Sequence, residues 1–109
     1  MKPMIYCKMM GVLSFSLLAT ALFAQVKIGD NPETINTSAI LELEKTDMGL
    51  LIPRVNLANA QDTETIPGAA NSLLIYNENY GGEGNDEVSP GFYYWDDYNG
   101  RWVRLLTGS

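Results

Sequence analysis

The sequence predicts an all-β module of antiparallel strands with a C-terminal aromatic hairpin, preceded by a signal-peptide helix. Three observations carry this. Ala39-Ile40-Leu41-Glu42-Leu43-Glu44 alternates apolar and acidic residues with the period of a half-buried strand. Leu50-Leu51-Ile52 and Leu73-Leu74-Ile75 are uninterrupted apolar runs bracketed by Gly, Pro, Asn and Ser, as expected of strands covered on both faces. Finally, two aromatic and β-branched runs flank Asp97-Tyr98-Asn99-Gly100, and an Asn-Gly pair in that setting marks a hairpin.

In chain order, residues 1–24 come first. Lys2 and Lys8 provide a positive start, an apolar stretch runs through Leu18 to Phe23, and small residues follow. Cleavage after Ala24 leaves Gln25 as the new N-terminus. Ala19-Thr20-Ala21 is a competing site that fits the A-x-A pattern more strictly. The apolar run falls short of the roughly 20 residues of a bilayer-spanning helix, so no stable membrane span is expected after cleavage. Cys7 precedes the apolar stretch, where a lipid-modified cysteine would have to follow it, so no lipid anchor is implied.

The remaining portion, residues 25–109, contains neither cysteine nor histidine. Disulfides are therefore excluded, and so are the two residue types that most often serve catalysis and metal binding. It keeps five basic residues against all thirteen acidic ones, a formal charge of −8. That balance disfavours nucleic acid and anionic membrane surfaces as partners. The length suits one small domain, β-rich throughout.

Val26 to Ile28 reads as a short strand closed by the turn formers Gly29, Asp30, Asn31 and Pro32. In the next strand Ala39, Leu41 and Leu43 share one face, with Glu42 and Glu44 on the other; a helix is the rival reading, since Leu, Glu and Ala are helix formers. Gly49 to Val55 is the most apolar window, and Pro53, lacking an amide donor, marks an end, an edge or a bulge. A chain of this size has little material for two covering layers, so a partner subunit is a natural source of the second. Residues 56–65 are expected to form one short helical turn or two before Ile66-Pro67-Gly68 ends them. Ser72 to Asn77 is the next strand. Glu78 to Pro90, rich in Gly, Asn and acids, reads as a long mobile loop. In the closing hairpin a four-residue loop would place Trp95 opposite Trp102, whereas a two-residue loop would pair Asp97 with Trp102; the longer loop is preferred.

The order Lys27-Ile28-Gly29, Pro32, Ser38 to Leu43, Met48-Gly49-Leu50-Leu51-Ile52-Pro53-Arg54-Val55, Leu73 to Asn77, Gly91 to Asp96 and Gly100-Arg101-Trp102-Val103 resembles an N-terminal module of exported proteins from Bacteroidetes-type bacteria. The likeness covers nearly all of residues 25–109. Asp30 departs from it, since threonine is common there. Such modules are similar in style to phage tail-fibre and head-domain segments. The resemblance implies no enzyme activity, no cofactor and no catalytic residues. Together with the signal it implies export to the periplasm, the outer-membrane surface or the medium.

The residues themselves offer three kinds of site. Asp96 and Asp97 are neighbours, yet adjacent strand positions point to opposite faces, so a converging pair of carboxylates is not expected. Glu83, Asn85, Asp86 and Glu87 bring oxygen ligands to a glycine-rich loop, a weak calcium candidate without EF-hand spacing. Tyr93, Trp95, Tyr98 and Trp102 are the candidate platform for glycans or other surface proteins, with roughly half of the hairpin aromatics required to face inward by alternation. The reading best supported is a non-enzymatic structural or adhesive module that self-associates, in threes by the tail-fibre analogy. Its assembly core would be Leu50, Leu51, Ile52, Leu73, Leu74 and Ile75. A monomeric binding module using the aromatic hairpin is the alternative.

Overall fold

The computed structural model describes residues 24–106. The expected signal helix up to Phe23, and the competing cleavage site after Ala21, lie outside them. Among the described residues, no helix is long and apolar enough to cross a membrane. The chain divides into two compact units, with the boundary between Gly49 and Leu50.

The first unit is a two-stranded parallel ribbon, β1 (Val26–Gly29) beside β2 (Leu41–Glu44). Pairing sets Val26 beside Leu41 and Ile28 beside Leu43 on one face, and Lys27 beside Glu42 on the other. The alternation read in the sequence is therefore present, with strand rather than helix as its outcome. Gly29 sits at φ +118°, where a side chain would be strained. Its missing Cβ also lets the Glu44 carbonyl approach: a methyl there would lie 1.9 Å from that oxygen.

The second unit holds a four-stranded sheet in the order β3-β4-β5-β6, with β3 Arg54–Val55, β4 Leu74–Asn77, β5 Gly91–Asp96 and β6 Arg101–Arg104. The all-β expectation holds, but its antiparallel part needs correction. Only β4-β5 and β5-β6 are antiparallel; β1-β2 and β3-β4 are parallel. Residues 30–40 and 56–73 are long enough to carry the chain back to the end it started from, which a tight hairpin cannot do. The expected strand from Gly49 to Val55 shrinks to Arg54–Val55, just after Pro53. The Pro53 carbonyl still accepts from the Tyr76 amide at 3.0 Å, so the proline stands where pairing begins.

The β5-β6 hairpin turns through four residues, with Asp96 opposite Arg101 and Trp95 opposite Trp102. Asp96 fastens this turn, accepting the amides of Tyr98 at 3.1 Å and Asn99 at 3.2 Å and the Asn99 side-chain amide at 2.6 Å. The Asn99 bonds, side chain before backbone, together with the Tyr98 amide hold its carboxyl below the usual range, against a smaller opposing effect of desolvation.

One face of the sheet carries the core: Ile75, Tyr93, Trp95 and Trp102, covered by Leu57, Ala60 and Val88 from the connecting loops. The two tryptophan rings meet edge to face, 5.2 Å apart. Residues 56–65 contain no helix, contrary to expectation. Their polar side chains bond the local backbone in place of a helical ladder. Asn59 takes the Gln61 amide at 2.8 Å. Asp62 takes the amides of Ala58, Glu64 and Thr65 at 2.9, 2.9 and 3.0 Å, together with the Thr65 hydroxyl.

Residues 78–90 are likewise not a free loop. Gly81 and Val88 exchange backbone bonds of 3.1 and 2.8 Å, a 3-10 turn spans Gly84–Asp86, and Val88 is buried. Asn77, wholly buried, explains the closure. It accepts the Leu57 and Asn79 amides at 2.9 and 3.1 Å and donates to the carbonyls of Asn79 and Ser89 at 2.8 and 3.0 Å, using its full capacity in one bond network.

Candidate assembly surface

Strand alternation sends every second residue of the sheet away from this core. Leu74, Tyr94 and Val103 stand side by side across β4, β5 and β6, and Tyr76 stands beside Phe92. None of these is closed off from solvent, and Leu74 and Phe92 are 43% and 47% exposed. Tyr76 and Phe92 are packed edge to face at 5.0 Å, which fixes both rings. Beside them runs Leu50-Leu51-Ile52, not paired in the sheet and with Leu51 79% exposed. Together with Arg54 these residues line an apolar groove of about 180 Å³.

Exposed leucines scattered singly are ordinary; a contiguous row of leucine, tyrosine, phenylalanine and valine on a flat sheet is not. Fully burying one such side chain is worth about 1.5–3 kcal/mol, so covering several half-exposed ones releases several kcal/mol per chain. The opposite face is already closed by the chain's own loops. This face is therefore the one that a second protein surface can cover.

The structure distributes the six assembly candidates between two places. Leu50, Leu51 and Ile52 line the groove, Leu74 lies on the open face and Leu73 precedes it at the half-exposed start of β4. Ile75 does not join them. It is 2% exposed and belongs to the chain's own core, because β4 is a single strand whose neighbours must alternate. Sequence reasoning missed Tyr76, Phe92, Tyr94 and Val103. Alternation within Phe92-Tyr93-Tyr94-Trp95 signals two opposite faces, but which one points outward depends on a register the sequence leaves open.

The aromatic binding candidates are corrected by the same geometry. Tyr93, Trp95 and Trp102 are buried in the core, and a ring packed there offers no face to a sugar. Their polar atoms are occupied: the Tyr93 hydroxyl bonds the Ser89 backbone, Trp95 Nε1 donates to Asp97 and Trp102 Nε1 donates to the Asp62 carbonyl at 2.8 Å. Tyr98 alone is exposed, at the hairpin tip.

Two of the four loop candidates, Asn85 and Asp86, serve structure as well. Asp86 pairs with Arg101 at 3.4 Å, the Asn85 carbonyl accepts from the same guanidinium, and no cluster of three or more metal-ligating side chains is found among the described residues. The Asp97 amide donates to Asn71 Oδ1 at 2.9 Å, so it and Asp96 are anchored separately. Asp62 is the most perturbed carboxyl described. Burial alone would raise its pKa, but the Thr65 hydroxyl and the amides of Ala58, Thr65 and Glu64 outweigh that and hold it at about 2. It is a loop fastener in a fully bonded setting, with no acceptor left for a substrate proton.

Comparison with known proteins follows this geometry. The family model described as "Phage tail like trimerisation region" matches residues 27–109, most of the chain and both of its units. No curated protein and no solved structure matches.

Proposed function

The chain belongs to the phage tail-like trimerisation family, and from that premise we propose that it is a structural module which holds three copies together through the outer face of its four-stranded sheet. The observation that carries this is the contiguous apolar row of Leu74, Tyr76 and Phe92 beside Leu50 and Leu51, bare on a sheet whose other face is closed. Family membership supports a structural role and gives no ground for a catalytic one.

We further propose that residues 25–109 are the working portion, exported after loss of a signal peptide and acting at or beyond the cell surface. The charge pattern and apolar stretch of residues 1–24 support this. Adhesion or the carrying of further segments is the role that a trimeric surface module would serve.

The test is light scattering on the purified protein, alone and as the double variant Leu74→Glu/Phe92→Glu. The parent should have three times the single-chain mass. The variant should dissociate to single chains at protein concentrations where the parent stays trimeric, with its tryptophan emission unchanged, since neither substituted residue belongs to the core. A single-chain mass for the parent, or a variant whose trimer resists dilution as well as the parent's, would refute the assignment.

A further inference from the structure

The β1-β2 ribbon of the first unit has an apolar face of its own. On the β1-β2 ribbon, Val26, Ile28, Leu41 and Leu43 point the same way and are 50, 60, 54 and 46% exposed. The other face is complete. Lys27 is buried there, with its side chain 3% exposed, ion-paired with Glu44 at 3.3 Å and Glu42 at 3.8 Å and bonded to the Thr34 carbonyl of the connecting loop. Glu42 also takes the Asn36 amide at 2.7 Å, and Asn31 donates to Glu44 at 2.8 Å. First the Asn31 amide and then Lys27 depress the Glu44 pKa, which keeps that face charged and fixed.

A two-stranded parallel ribbon with one naked apolar face is not a finished structure, because parallel strands occur where both faces are covered. We propose that the cover is the same face of two further copies: three ribbons close into a prism with their apolar faces inward. This rests on the trimer reading above and adds a second, independent contact to it. Three features identify the occupant. The family match begins at Lys27, so all of the ribbon but Val26 lies inside the trimerisation region. The chain carries a formal −6, and strongly acidic copies can approach closely only through uncharged surfaces. This face carries no charge. Lastly, the register stacks the four side chains as two level rows, Val26 with Leu41 and Ile28 with Leu43. Level rows repeat around a threefold axis as two complete layers.

Cysteine cross-linking tests this in the full chain carrying Cys7→Ser, which has no other cysteine. Ile28→Cys and Leu43→Cys are refolded singly and as a mixture, covering contacts between like and unlike rows, with Glu42→Cys on the closed face as control. Mild oxidation should link the apolar-face variants but not the control. In a single variant at most about two thirds of the chains can be linked, since a disulfide joins two of three copies. Hydroxyl-radical footprinting of the unmodified protein provides a readout free of substitution: Val26, Ile28, Leu41 and Leu43 should be protected in the oligomer. A trimeric mass with neither cross-links nor protection would overturn the prism and leave the sheet-face trimer standing. A trimeric mass with protection but no cross-links would assign the cover to some other surface and equally overturn it. A single-chain mass would remove both readings.

Discussion

Removing the Asp62 carboxylate should unlatch the loop that covers the core, and the cost can be worked from its bonds. The side chain takes three amides and one hydroxyl from Ala58, Glu64 and Thr65. Its pKa of about 2 lies nearly two units below the ordinary 3.8. At 1.36 kcal/mol per unit, that shift corresponds to about 2.5 kcal/mol of stability from the ionised form. Because the folded value is depressed, this stability is fully present above the unfolded pKa near 4 and is lost as pH falls from there to 2. Asp62→Asn should therefore cost about 2.5 kcal/mol at pH 6, while the difference from the parent shrinks toward zero near pH 2. Urea unfolding followed by emission of Trp95 and Trp102 is the assay, at one fixed protein concentration because the stability of an oligomer depends on it. An unchanged midpoint at pH 6, or a loss of equal size at both pH values, would refute this account of the loop.

Three other substitutions probe the remaining supports. Asn77→Leu leaves the buried amides and carbonyls around it without partners and should cost about 3 kcal/mol in the same urea assay. Trp102→Phe loses the bond to the Asp62 carbonyl and opens a gap against Trp95, for an expected loss of about 2–3 kcal/mol, read from thermal melting by far-ultraviolet dichroism. Gly29→Ala forces a methyl into the Glu44 carbonyl at positive φ; about 2 kcal/mol or more of ribbon stability should vanish, seen as faster amide exchange across Val26–Glu44.

What could be read in advance follows from which signals are local. Alternation in Leu41 to Glu44 is a property of four successive residues, and it survived as β2 with its two faces correctly sorted. The Asn99-Gly100 turn is equally local, and the hairpin stands with Trp95 opposite Trp102. Residues 56–65 were harder, because Leu57 and Ala60 look helical only until Asn59 and Asp62 claim the backbone amides. The acidic loop after Glu78 gave no hint that Val88 would be drawn into the core, an outcome decided by Asn77 and Gly81. For the assembly surface, Leu50, Leu51 and Leu74 were visible as excess greasiness. Ile75 was assigned to the wrong side, and Phe92 was missed, because facing is a consequence of register across strands and not of composition.

The longest of these ties has a bearing on how the fold is reached. Trp102 bonds the Asp62 carbonyl across a separation of 40 positions, and its own amide bonds Ala60. The cover that Leu57 and Ala60 provide is completed only when that tryptophan arrives. The core of the second unit is thus completed only when its last strand is delivered, which makes loop closure rather than local turn formation its slow event. Loss of β6 would accordingly do more harm than its four residues suggest.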